Sequence, residues 1–294
     1  MSNPAVETAP IPEGLTVLGP RGKYPKVTLV DPASWGAVLL ALEIDHFRLP
    51  VGFMLWAESA LKKRVLKQLN EFVGELKGSE SVGENSPVED AWLFKATVIP
   101  PGKGRFLQQR PEVKIAKFDV ALLVQCKSLD AARELRASER WQKEEGRYRK
   151  GGECAVTRTL TVTASNTRRI AAVDHTRQGC FLLNYFYADS LETNLKIWEY
   201  TAGWFQKESG LNNSTLLFPD DESRDPAEGK FGGSMDEQKC QHSVINHCRW
   251  DSLKNIMPSL LFKKDFTRYV LDNFAANNTA ACPVLYCLAF PPSK

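Results

Sequence analysis

The segment Ser243-Val-Ile-Asn246-His247-Cys248-Arg249-Trp250 concentrates the residue types most able to do chemistry in this 294-residue chain. An imidazole, an amide and a guanidinium within a few consecutive residues can take a proton, donate hydrogen bonds or hold developing negative charge. Read as a strand, the segment sends Asn246, Cys248 and Trp250 to one face, and Ser243, Ile245, His247 and Arg249 to the other. Only one of these sets can line a given cavity. Among the four histidines, His247 alone falls inside a core strand candidate. It is the preferred general base or hydrogen-bond donor, with Arg249 beside it; a structural histidine bonded to a neighbour is the competing reading. His46, His175 and His242 fall near element ends or in loops and read as solvated.

A second group of candidates lies upstream. Asn184 interrupts the apolar run FLLNYFYA, where a buried amide must find a partner or be costly. That partner is either a substrate or water, or a backbone group. Tyr185 follows it. Trp198, Tyr200 and Trp204 fall within two turns of one helical pattern. Trp198 belongs to the apolar stripe Leu191, Leu195, Trp198, Ala202, Phe205, so core packing accounts for it as well as a binding wall does. Tyr200 and Trp204, four residues apart, share a neighbouring face that either borders a cavity or packs.

The elements that must hold these residues follow from periodicity. Phe47–Trp56 is an apolar strand candidate. Glu58–Lys77 carries Leu61, Val65, Leu69, Phe72 and Leu76 at helical spacing. Ala91–Ile99 and Lys117–Cys126 read as strands, Ser128–Glu145 as one helix capped by Ser128, and Ala155–Ala164 as an alternating strand. After a connector over Ser165–Gly179 the same order returns: strand Cys180–Ala188, helix Ser190–Glu208, strands Asn213–Phe218 and Ser243–Trp250, a helical region Asp251–Phe274 broken near Pro258, and strand Pro283–Phe290. The strand-to-helix turns Lys127-Ser128-Leu129 and Asp251-Ser252-Leu253 echo each other, which supports an internal repeat of β-α-β-β-α-β units. Pro219–Gln241, long and Gly-rich, reads as a mobile loop. Several strands are apolar on both faces, so both must be covered, one by helices and the other by a second sheet about 10 Å away.

Composition narrows the function classes. Apolar residues make up 43% and charged residues 25%, with a net charge of +3, which describes a globular chain with no basic stripe for nucleic acid. Seven scattered cysteines without a C-x-x-C suggest neither a zinc site nor a disulfide framework, but buried thiols in a reducing compartment. The N-terminus lacks signal-peptide character, and no apolar run approaches the roughly 20 residues of a membrane span. The reading is therefore cytoplasmic, with no nucleic-acid or membrane partner and no metal site.

The strand FLLNYFYA with Asn184 and Tyr185, the helix NLKIWEYTAGWF with Trp198 and Trp204, the turn Gly210–Leu217 and the segment SVINHCRWDSL together resemble the antibiotic biosynthesis monooxygenase branch of the dimeric α/β-barrel superfamily. The resemblance spans about residues 180–290; the first half matches in element order. It implies an α+β fold of two tandem ferredoxin-like units forming an intramolecular dimeric α/β barrel. Residues 1–26 would be a flexible N-terminal segment, 27–164 a first unit serving mainly as scaffold, and 165–294 a second unit holding the active pocket. The implied activity is oxygenation, or related proton transfer, on an aromatic or polyketide-like molecule of secondary metabolism with molecular oxygen and no cofactor. His247, Asn184 and Arg249 would be catalytic, and Tyr185, Trp198, Tyr200, Trp204 and Trp250 would bind substrate. Monomer and homodimer both fit. Non-catalytic binding and scaffold proteins, haem binders, decarboxylases and cyclases on the same fold are the alternatives.

Overall fold

In the computed structural model, described over residues 8–19, 22–44, 58–78, 86–100, 108–109, 115–220 and 244–291, eight antiparallel strands close into one barrel. The strands are β1 (Gly36–Glu43), β2 (Val88–Val98), β3 (Val120–Cys126), β4 (Arg158–Ala171), β5 (Cys180–Ala188), β6 (Ser214–Pro219), β7 (Ile245–Trp250) and β8 (Thr279–Leu288). Their order around the barrel is β1-β3-β2-β8-β5-β7-β6-β4. Each half contributes four neighbouring strands in the same relative order, as two ferredoxin-like units require. The seams are hydrogen-bonded ladders, β2 to β8 (Phe94 opposite Leu288) and β4 to β6 (Ser165 opposite Phe218). The sheets thus join edge to edge as well as facing each other, and no open edge remains between them.

The doubly apolar strands are explained by this closure. One face of each strand points into the barrel, filled by Leu39, Phe94, Leu123, Phe181, Leu183, Tyr185, Val284 and Tyr286. The other meets helices. Over the first unit lie α1 (Ala60–Lys77), α2 (Leu129–Ala137) and α3 (Glu139–Gly146); over the second lie α4 (Leu191–Ser209) and α5 (Leu253–Phe262), followed by a π-helical turn over Phe266–Leu271 and α6 (Asp272–Ala276). The α1 stripe Val65, Leu69, Phe72 and Leu76 is buried as its spacing predicts.

Several elements differ from the sequence expectation. The first strand is Gly36–Glu43, an apolar run that the sequence reading passed over; the expected strand Phe47–Trp56 lies outside the described residues. Ser128–Glu145 is two helices, because the Ser138 backbone turns extended and its hydroxyl caps a new helix through Trp141 N at 3.2 Å. β4 runs on to Ala171 through Ser165-Asn166-Thr167-Arg168-Arg169, a polar stretch read as connector. It stays a strand because it pairs with β6 through two register shifts. Pro258 does not break its helix, which continues to Phe262 and gives way at Lys263. The expected mobile loop Pro219–Gln241 falls largely outside the described residues.

The described part of the N-terminal segment, expected to be flexible, is anchored on the second unit. Thr16 N and Leu18 N donate to Asn277 Oδ1 and Asn273 Oδ1, and buried Tyr24 donates to Asp265 at 2.8 Å. Gly203 of α4 makes the approach possible, since a Cβ there would stand 1.9 Å from the Pro25 carbonyl oxygen. Among the described residues no helix is long and apolar enough to cross a membrane.

Candidate functional site

The alternation of β5 and β7 sorts the candidate residues onto two faces. Asn184 and Asn246 stand opposite each other across the β5–β7 ladder, on the helix side with Leu182, Phe186, Cys248 and Trp250. α4 lays Trp198, Thr201, Ala202 and Phe205 over them, and Phe274 closes one end. Between these layers is a cavity of about 30 Å³, room for a water or two. Its walls are mainly apolar, with five aromatic side chains among them. Polar groups at its edge are mostly engaged: Ser214 Oγ donates to Asn246 Oδ1, Trp250 Nε1 donates to Ser209 Oγ at 3.1 Å, and Thr201 Oγ1 donates to Ile197 O at 2.8 Å. The exception is Asn184 Oδ1, buried with no hydrogen-bond partner among the described residues. The thiol on the wall, Cys248, has its pKa pushed well above the ordinary value by burial, then by neighbouring Cys180. The cavity therefore stays uncharged at neutral pH.

His247, Arg249 and Tyr185 point the other way, into the barrel. His247 is fully enclosed, and both of its nitrogens are used. Nδ1 lies 3.0 Å from the carbonyl oxygen of Leu182, which can only accept, so Nδ1 carries the proton; Nε2 lies 2.8 Å from Nε2 of His175. Burial lowers the His247 pKa to about 4. Arg249 is bound to Asp251 and to Gln178 O, at 2.9 and 2.8 Å. Tyr185 meets Tyr286, whose hydroxyl donates to Phe118 O. Tyr200 stacks on Tyr269 at 5.0 Å and Trp204 packs on Phe266 at 5.3 Å, both under the N-terminal segment. Thus Asn184, Trp198 and Trp250 meet at one cavity, while His247, Arg249, Tyr185, Tyr200 and Trp204 do not reach it.

Sequence reasoning set aside one residue that the structure brings into the same neighbourhood as His247. His175, expected to be solvated, is tucked against the barrel mouth, stacked on Trp92 at 3.8 Å and facing Phe181 at 5.5 Å. It belongs to no strand or helix, so no periodicity could have placed it. Phe205, on the cavity wall, was legible as part of the α4 apolar stripe. The cysteines expected to be buried are so at 126, 154, 180, 248 and 282.

No protein-family model matches the chain, and no curated protein matches its sequence. Several solved structures are similar to it. An anthrone oxidase-like protein superposes with a TM-score of 0.51 at 9% identity, covering 90% of this chain and 95% of its own. A candidate monooxygenase from Fusobacterium nucleatum gives 0.45 at 7% identity, covering 87% and 94%. A haem-binding protein from Thermus thermophilus gives 0.37 at 10% identity, covering 90% and 95%. The chain has the dimeric α/β-barrel fold, with both ferredoxin-like units in one polypeptide. The wall of the cavity beneath α4 does not suit a haem: among the described residues it offers no histidine, methionine or tyrosine to hold the iron, and its thiol is held protonated.

Proposed function

We propose that the chain is a small-molecule enzyme of oxygenase type, taking a hydroxylated, electron-rich aromatic substrate into the cavity beneath α4 of the second unit. The observation that carries this reading is Asn184 Oδ1, a buried acceptor without a partner among the described residues, on a mainly apolar wall that includes Trp198, Phe205 and Trp250. Leaving such an atom unpaired costs about 1–3 kcal/mol, which a ligand hydroxyl would recover. An acceptor selects a donor, hence a phenolic or enolic hydroxyl rather than a carboxylate. Trp198, Phe205 and Trp250 would face the ring. Because the free volume is only about 30 Å³, binding requires side chains such as Phe205 to swing outward.

The described cavity wall carries no base, so the substrate must itself ionise readily. An anthrone-type methylene that has already lost its proton to bulk water would enter as the carbanion, which donates an electron to molecular oxygen. Recombination forms a carbon–oxygen bond, protonation gives a hydroperoxide, and loss of water leaves the ketone, consuming one oxygen molecule. The residues of this chain would supply orientation through Asn184 and a dry aromatic enclosure. No step uses a cofactor. His247 and Arg249, turned into the barrel, would act on the fold of the site rather than on the substrate. The secondary-metabolite class of the substrate and a cytoplasmic setting belong to the same proposal.

The test is oxygen uptake on adding an anthrone-type hydroxyaromatic to the purified chain, compared with Asn184→Leu. Uptake that needs the protein and falls in the variant supports the reading. A folded protein that neither binds the compound nor accelerates uptake overturns it.

A further inference from the structure

The barrel mouth carries a second arrangement that the cavity beneath α4 does not use. A groove of about 670 Å³ opens there between the two units, with Trp92, Val73 and Gln125 from the first and His175, Val173 and Leu288 from the second half. The rings of His175 and His247 have centroids 5.0 Å apart and planes within 15° of parallel, and their facing nitrogens are 2.8 Å apart. A ring nitrogen lies roughly 1 Å from its centroid, so the two imidazoles point at each other nearly head-on. One proton fits on that line.

Which nitrogen carries it follows from the next bond along. His247 Nδ1 donates to the Leu182 carbonyl, so Nε2 of a neutral His247 is an acceptor and His175 Nε2–H must be the donor. Neutral His175 then has a bare lone pair on Nδ1, on the side of its ring away from His247, with no partner among the described residues. Stacking on Trp92 fixes the ring plane. Both rings stay neutral near pH 7: burial, His247, and the charges of Arg249 and Lys77 lower the His175 pKa to about 2, with Asp174 opposing.

We propose that this groove is a separate ligand site for a neutral, flat molecule bearing a hydroxyl or N–H, which donates a hydrogen bond to His175 Nδ1 and lies against the partly exposed ring of Trp92. The charged groups at the groove are already matched: Lys77 pairs with Asp90, and Asp174 holds Thr176 and Arg177. Among the described residues, the groove thus lacks an uncommitted charge to select an ion. The apolar walls of Val73, Val173 and Leu288 favour a ring. This site goes beyond the proposed oxygenase reading and does not depend on it.

The experiment compares 2-naphthol with 2-methoxynaphthalene, which lacks the donor, on the full chain, on His175→Phe and on Asn184→Leu. Binding is followed by ¹⁵N resonances of labelled histidine and by tryptophan fluorescence. For the groove, 2-naphthol should bind about 10-fold more tightly than its ether, the worth of one good hydrogen bond, and should move the His175 Nδ1 resonance. The preference at this site should vanish in His175→Phe and persist in Asn184→Leu. Equal binding of the two probes, an unmoved Nδ1 resonance at saturation, or a preference that survives His175→Phe overturns the proposal. The Nδ1 reading on the unmodified chain keeps the test decisive even if His175→Phe fails to fold. Loss of preference in Asn184→Leu alone would assign the probe to the cavity beneath α4 and reject the groove.

Discussion

Beneath α1, α2 and α3 the layer between helices and sheet is filled by Phe72, Trp141 and Tyr148, and its large polar side chains are tied to partners, although the Thr161 hydroxyl has none among the described residues. Trp141 Nε1 donates to Glu145 at 2.8 Å, Tyr148 to Glu144 at 2.5 Å, and Lys62 pairs with Asp119 at 3.1 Å. Beneath α4 and α5 the corresponding layer keeps a gap, and Asn184 Oδ1 borders it with no partner among the described residues. Two copies of one unit have thus diverged in what their helix layer contributes. The first ties its buried aromatic hydroxyl, indole and ammonium groups to carboxylates, contacts that rigidify the layer when made and are costly to break. The second carries an unpaired acceptor at a stability cost, the pattern expected where a ligand completes the site.

The contrast is most easily broken at Lys62. Its side chain is 2% exposed and that of Asp119 is fully buried, so Lys62→Met would leave the buried carboxylate without its countercharge and should cost about 3–5 kcal/mol in urea unfolding. Adding Asp119→Leu should restore much of that loss. A Lys62→Met protein as stable as the parent would show that the first unit's network is not what holds its layer.

The next effect belongs to the second half. His247 has a folded-state pKa lowered to about 4 from 6.5, so folding favours the neutral form. Its contribution is fully present above about pH 6.5 and is lost as pH falls towards 4, about 3 kcal/mol in all. His175, lowered to about 2, acts in the same direction and continues to lower pH. Leu123, which matches His247 when the turns at Ser128 and Ser252 are aligned, has no such titration. Urea midpoints at pH 7 and pH 4 should therefore converge in a His175→Phe/His247→Leu double variant. If the parent and the double variant lose equal stability over that range, the acid sensitivity lies elsewhere.

Asn184 sharpens the comparison from the functional side. On the proposed reading, Asn184→Leu should lower oxygen-dependent turnover by about 10²-fold, the scale of a misplaced substrate. The same change should leave stability unaltered or raise it by up to about 1 kcal/mol, since it removes an unpaired buried acceptor. Trp141→Phe in the first unit should do the reverse, costing about 1–2 kcal/mol through the lost Glu145 bond with turnover unchanged. A calorimetric melt and an oxygen-uptake assay on both variants separate the two behaviours, and equal responses would remove the distinction between the layers.

Much of the architecture was legible in local pattern. The alternation of the Ser243–Trp250 segment named which of its side chains share a face, and the stripe of α1 named its buried side. The echo at Ser128 and Ser252 marked two helix starts that do fall at matching positions, though the Ser128 hydroxyl caps Ala131 N while that of Ser252 turns to Asn255. Where the reading failed, local composition misled. Ser165–Arg169 looks like a loop because its strand character comes from pairing with β6, and Ser138 splits a helix whose apolar spacing gives little warning.

By itself the sequence determined the order of elements in the second half and the sorting of Asn246 and Trp250 away from His247 and Arg249, because a two-residue period is a property of the strand alone. Only the tertiary structure decided what each face meets. Closure through the β2–β8 and β4–β6 ladders turned the His247 face inward to the barrel and left the Asn184 face to the helices. It also brought His175, from a segment with no periodicity, against His247, 72 residues away in sequence. Pairings of that separation depend on the whole chain closing and cannot be read from any one of its elements.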